Sequence, residues 1–306
     1  MTTSPHIVTS VDELQKKVRK ALKQAQVQLN AQATDDARPR HSTLGFVPTM
    51  GALHDGHAQL IRRAREQNDV VVVSVFINPL QFGPGEDFDR YPRTLEADAA
   101  LAGEADVDFI FAPTVEEMYP DGEPAVRVSA GEMGTFFEGA TRPGHFDGVL
   151  TVVNKFFNIL KPAAGRHLVN AYFGQKDAQQ LALVQRMVAD FNHSVTIKSV
   201  SMVREDNGLA YSSRNQYLSD EQREQALVLS RTLALLREQM IAKGPENFDL
   251  SAARERIDSA EGVRLDYLEM VDPTTFKAPT ADSTRVLGLV AAYVGETRLI
   301  DNMELL

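Results

Sequence analysis

Short apolar runs of strand length recur along the first two thirds of the chain, each separated from the next by a stretch of helical periodicity. Strand-like runs at residues 44–49, 70–77 and 108–112 alternate with helical stretches near 55–67 and 94–105. An apolar helix at about 147–160 then precedes a strand ending at Phe173, a helix at 177–191 and a strand at 195–203. Strands separated by whole helices cannot be hairpin partners. They pair in parallel, and a parallel sheet needs helices on both faces. The pattern predicts a doubly wound, Rossmann-like α/β domain over residues 1–202. Ser10 to Glu13 reads as a capping box, and Val11, Leu14, Val18 and Leu22 recur at helical spacing, so a scaffold helix runs to about Gln26. The polar residues 32–42 read as a surface loop.

Beyond a polar stretch at 204–215 the order changes to helices at 220–242 and 250–259, then strands at 265–271, 286–294 and 298–303. That is an α+β composition, which predicts a smaller second domain over 203–306. A length of 306 residues suits two such units, and 43% hydrophobic with 24% charged residues suits ordinary packed cores. There is no cysteine, which excludes disulfides, thiolate catalysis and sulfur-ligated metal. The N-terminus lacks an apolar signal core, and the run at 70–77 is far shorter than the ~18–20 residues needed to span a bilayer. These features predict a cytoplasmic chain with no membrane partner. A net charge of −10 opposes a nucleic-acid partner but leaves room for a local basic cleft that takes a small anion.

In open α/β sheets ligands collect at the carboxyl ends of the strands, so the residues that follow each strand carry the chemistry. Four segments stand out. Residues 48–57, with Gly51, His54, Gly56 and His57, run from a strand end into a helix N-terminus, where backbone N–H groups and the dipole favour phosphate. A glycine turn with two solvated histidines accounts for the same residues taken alone, and a zinc reading would require a third ligand. Residues 78–93 offer the uncharged amides of Asn78 and Gln81 to a carboxylate or hydroxyl, against the alternative of a plain turn. Residues 173–180 place Lys176 and Asp177 at another strand-to-helix junction, suited to phosphate oxygens or simply a capped helix with an exposed lysine. Residues 204–215, with Ser212, Ser213 and Arg214, read either as a mobile loop that closes over a triphosphate or as an interdomain turn.

Taken together with Val72 to Pro79, Glu138 to Val149 and Ser212 to Asn215, these segments resemble the pantothenate synthetase (pantoate:β-alanine ligase) family of the nucleotidyltransferase superfamily. The resemblance covers nearly the whole chain after the first helix. It implies an ATP-binding signature at Met50, Gly51, Ala52, Leu53, His54, Asp55, Gly56 and His57, with His57 as proton donor and His54 holding phosphate. It implies a second ATP element at Gly174, Gln175, Lys176 and Asp177, and further ATP contacts at Val203, Tyr211, Ser212, Ser213 and Arg214. Tyr211 stands where the family commonly carries an aliphatic residue.

Gln81 is implied as a contact to pantoate and β-alanine, and Gln180 as a second contact to pantoate. His54, His57, Lys176 and Arg214 would position and neutralise phosphate. Magnesium would accompany ATP, with no protein metal ligand assigned. The implied reaction passes through a pantoyl adenylate to pantothenate, AMP and pyrophosphate, in a homodimer whose C-terminal domain acts as a lid. Two other readings fit the separate motifs: a nucleotidylyltransferase that leaves the nucleotide on its product, and a non-catalytic nucleotide-binding module or aminoacyl-tRNA-synthetase-like fragment.

Overall fold

The computed structural model describes residues 4–32, 40–244, 250–280 and 282–306. The loop expected at 32–42 therefore lies largely outside the described residues. The described residues divide into two compact units. One holds the chain as far as Gly174 together with Leu183–Val200, and the other holds Gln175–Ala182 and Ser201–Leu306.

The first unit is built on a six-stranded parallel sheet in the order β1-β4-β3-β2-β5-β6. The strands are β1 (His6–Val8), β2 (Thr43–Thr49), β3 (Val70–Val75), β4 (Phe109–Phe111), β5 (Leu168–Gly174) and β6 (Thr196–Val200). Its helices are α1 (Val11–Gln32), α2 (Asp55–Gln67), α3 (Leu95–Glu104), the single turns α4 (Val115–Met118) and α5 (Glu138–Thr141), and α6 (His145–Ala164). Most of α7 (Ala178–Asp190) belongs here too.

Strand β3 reads as four consecutive valines, all buried, because a strand covered on both faces has no solvent side to alternate with. Val47, Ile61, Val71, Val73, Ile110 and Tyr172 form one core on this sheet. The strand order reverses at β2, which has β3 on one side and β5 on the other. The carboxyl ends of β2 and β5 thus flank the topological switch point, where such sheets hold ligands. Met50 follows the first of these ends and Gln175 the second.

Three elements differ from the sequence expectation. The three residues of β1, paired with β4, are too few to show a period. Helix α1 runs six residues past Gln26, whose amide donates to Asn30 Oδ1 at 2.8 Å one turn on. Strand β6 stops at Val200, short of Val203, because the chain passes to the second unit there.

The second unit packs α8 (Asp220–Lys243) and α9 (Ser251–Asp258) on an antiparallel sheet of β7 (Val263–Val271), β8 (Leu287–Val294) and β9 (Thr297–Glu304). Central β8 is buried nearly throughout, and its Val290 shares one core with Leu227, Leu233, Leu236, Ile257 and Leu268. Among the described residues no helix is long and apolar enough to cross a membrane.

Candidate active site

In the first unit, β2 ends in a turn with unusual backbone. Gly51 sits at φ +92°, and a Cβ there would meet Val75 Cγ1 at 2.9 Å and Asp98 Oδ2 at 3.0 Å. Ala52 follows at φ +50°, a conformation that non-glycine residues adopt only when their surroundings enforce it. The enforcing group is Asp98, buried on α3, whose carboxylate accepts from Ala52 N at 3.1 Å and Leu53 N at 2.8 Å. Gly51→Ala should therefore destabilise the fold by about 1–3 kcal/mol, from backbone strain plus crowding. A denaturation midpoint equal to that of the parent chain would refute this account of the turn.

Asp98 also changes what the segment offers a nucleotide. The N–H groups of Ala52 and Leu53 are already engaged, and Gly51 N donates to Thr49 Oγ1 at 3.1 Å. Helix α2 is capped in the same self-contained way. His54 is its N-cap, with Nδ1 accepting from Gly56 N at 3.1 Å, while His57 Nδ1 accepts from His54 N at 3.3 Å. Two backbone donors at this helix start, His54 N and Gly56 N, are thus held by imidazoles. The ring centroids of His54 and His57 lie 4.1 Å apart. Exposed Asp55 and part-buried Gly56 lie between them in the first turn.

Gln81 closes a single helical turn, Pro79–Gln81, and is buried. Its amide has a defined sense. Oε1 accepts from Asn78 Nδ2 at 3.2 Å, and Nε2 faces the thioether of Met50 at 3.0 Å. Sulfur is a weak acceptor, so this N–H is poised for a better oxygen. Asn78 is itself held, donating to Gly148 O at 3.1 Å and accepting from the Tyr119 hydroxyl at 2.8 Å. Burial pushes the Tyr119 phenol well above its ordinary value, so it stays a donor.

The second unit collects the cationic residues. Lys176 lies in the turn Gln175–Asp177, with Nζ 3.3 Å from Asp177 Oδ1. It is less open than expected, its side chain being 20% exposed. Asn302 on β9 clamps this turn by donating to the carbonyls of Gln175 at 3.0 Å and Lys176 at 2.8 Å. Lys176, Ser212 and Arg214 line one narrow cavity with Asp301. Ser212 caps the short helix Ser213–Tyr217 through Arg214 N at 3.3 Å, and Val203 O accepts from Tyr211 N at 3.1 Å.

Residues 204–215, read from sequence either as a mobile loop or as an interdomain turn, are tied down by side-chain bonds. Arg204 and Ala210 form an antiparallel bridge, and the Arg204 guanidinium pairs with Asp301 at 2.7 and 2.8 Å. Arg223 further ties Glu205 at 3.0 Å to Asn215 O at 3.1 Å. Gly174 ends β5 in the first unit, whereas Gln180, on the first turn of α7, belongs to the second.

The model of the Pantoate-beta-alanine ligase family matches residues 13–304. The chain belongs to that family. It is 51% identical to pantothenate synthetase of Corynebacterium glutamicum (strain R) over 92% of this chain and 100% of that one. Identity to the pantothenate synthetase of Leifsonia xyli subsp. xyli is 56%, over 85% of this chain and 88% of the relative.

Among solved structures, pantothenate synthetase from Thermus thermophilus superposes with a TM-score of 0.82 at 46% identity, covering 98% of this chain and 99% of the other. The pantoate-beta-alanine ligase from Francisella tularensis complexed with beta-gamma ATP and beta-alanine gives 0.68 at 32% identity, with 98% of each chain covered. For this member of the ligase family, sequence reasoning missed Asp98, Asp301 and Asn302. Each acts on backbone or on another side chain from a distant stretch of sequence, and a carboxylate or amide on an amphipathic element gives no local sign of that.

Proposed function

We propose that this chain joins pantoate to β-alanine at the expense of ATP, releasing pantothenate, AMP and pyrophosphate through a bound pantoyl adenylate. Family membership supports the reading, and the oriented Gln81 amide is the observation that carries it furthest. A donor N–H waiting on a thioether suits a small polyoxygenated acid better than an apolar ligand. In the first step a pantoate carboxylate oxygen attacks the α-phosphorus, and the bond to pyrophosphate breaks. In the second the β-alanine nitrogen, having lost the proton it carries at neutral pH, attacks the acyl carbon and AMP departs.

His54 holds phosphate oxygens and His57 serves as proton donor, while Lys176 and Arg214 neutralise phosphate charge. Gln81 and Gln180 take pantoate, and Gln81 lies near β-alanine. Met50 to Leu53, Gly174 to Asp177, Val203 and Tyr211 to Ser213 complete the ATP contacts. For Ala52 and Leu53 these contacts run through atoms other than the N–H groups held by Asp98. In this proposal residues 1–202 bind ATP and pantoate and residues 203–306 serve as the lid.

Among the described residues no group of three or more His, Asp and Glu could hold a metal. Magnesium would arrive on the ATP phosphates, which supply the hard oxygens it prefers, and would neutralise their charge there. A cytoplasmic homodimer is part of the same proposal, and light scattering would test it by reading twice the mass of one chain.

The deciding assay is product analysis. Over many turnovers AMP and pyrophosphate should form in equal amounts, and sustained release of AMP should require ATP, pantoate and β-alanine together. A product that retains the nucleotide would replace this reading with nucleotidyl transfer, and silence with all three substrates would leave a nucleotide-binding module.

A further inference from the structure

The main chain of Gln81 is held by a part-buried network that the proposed chemistry does not use. As the last carbonyl of a single helical turn, Gln81 O has no partner inside that turn. It accepts instead from His145 Nδ1 at 2.8 Å and from Arg142 Nη2 at 3.3 Å. Arg142 is fixed in turn by Glu86, at 2.9 Å to Oε1 and 2.6 Å to Oε2, and its Nη1 lies 3.0 Å from His145 Nε2. Burial, then the Arg142 charge, push His145 down to about 4. Near neutral pH the ring is therefore uncharged, with Nδ1–H donating to Gln81 and Nε2 accepting from Arg142.

Burial raises the Glu86 carboxyl, but the bond and charge of Arg142 outweigh it and hold that group below its usual value. The contact is possible because α6 lies flush against the Pro79–Gln81 turn. Gly148, one helical turn after His145, leaves no space for a side chain, since a Cβ there would collide with the Leu80 carbonyl. Two independent grips thus meet on one residue, with Asn78 setting the Gln81 amide and the Glu86–Arg142–His145 chain setting its backbone.

We infer that His145 and Arg142 are positioning residues for pantoate, acting through Gln81 and touching no substrate themselves. This rests on the reading of Gln81 given above. His145→Ala should raise KM for pantoate roughly tenfold, the scale of one well-made hydrogen bond, while KM for ATP changes less than twofold. His145→Asn, whose amide can donate to the same carbonyl, should recover most of the loss. The decisive readout is a double-mutant cycle. In a Gln81→Ala background, His145→Ala should add little, because the group it positions is already gone.

Multiplicative effects in the double variant, or equal losses for ATP and pantoate, would overturn the inference and make the network purely structural. If Gln81→Ala alone leaves pantoate KM unchanged, the reading of Gln81 fails instead. Should His145→Ala not fold, Arg142→Met supplies the same cycle, with the same outcomes deciding.

Discussion

Lys176→Ala should slow pyrophosphate release with ATP and pantoate by roughly 10²–10³, the loss expected when one preorganised charge is removed from a developing anion. The size of the effect follows from how the lysine is held. Its main chain is clamped by Asn302 through the carbonyls of Gln175 and Lys176, so the ammonium is delivered by a rigid turn. Alanine keeps both carbonyls and therefore the clamp. The side chain's contact with Asp177, at 3.3 Å, joins neighbours in sequence and contributes little to the fold, so stability should move by no more than about 0.5 kcal/mol. A large kinetic effect with an unchanged denaturation midpoint is the expected pair of results. Single-turnover pyrophosphate release at the parent rate in the folded variant would remove Lys176 from the reaction.

The fold was legible wherever local pattern and tertiary role coincide. The valine run of β3, the bounds of α2 and the alternation of strands with helices follow from burial and periodicity, which are written residue by residue. The candidate residues at 48–57, 78–81 and 174–177 stand out in the sequence for a related reason. Strand ends that run into helices are where this architecture exposes main chain, and their composition is accordingly unusual.

What stayed hidden was the set of long-range ties. Asp98 holds a turn 45 residues upstream, and Asn302 clamps one 126 residues upstream. Periodicity, of the helix for Asp98 and of the strand for Asn302, marks both residues only as polar. The path of the chain was hidden for the same reason: Gln175–Ala182 leaves the first unit and Leu183 returns to it. A helix that crosses a boundary has the periodicity of one that does not. At 204–215 the polar composition suggested looseness, yet those polar groups are partners in the pairing of Arg204 with Asp301 and of Arg223 with Glu205.

That anchoring leads to the prediction with the clearest signature. An acyl adenylate is a mixed anhydride, and an enzyme that let it meet water would hydrolyse ATP to no purpose, so the proposed reaction requires a site that excludes solvent. With ATP and pantoate but no β-alanine, the parent chain should release one rapid burst of pyrophosphate, about one per active site, and then fall nearly silent. Adding β-alanine should restart turnover.

Asp301→Asn tests whether the pinned segment keeps the water out. The carboxylate is 5% exposed and accepts from both Arg204 nitrogens and from Asn302 N at 2.7 Å. Asparagine keeps the volume but leaves Arg204 half paired. Arg204 is 24% exposed, so the loss should fall below the ~3–5 kcal/mol of a fully buried broken pair, and the unit should still fold. The expected variant shows the burst followed by steady pyrophosphate and AMP release without β-alanine, at a rate well above the parent's residual. A slower burst with no leak would mean that Asp301 acts through Asn302 on Lys176 instead. A folded variant as silent as the parent would separate residues 204–215 from the protection of the adenylate, and steady release from the parent itself would show that no such protection exists.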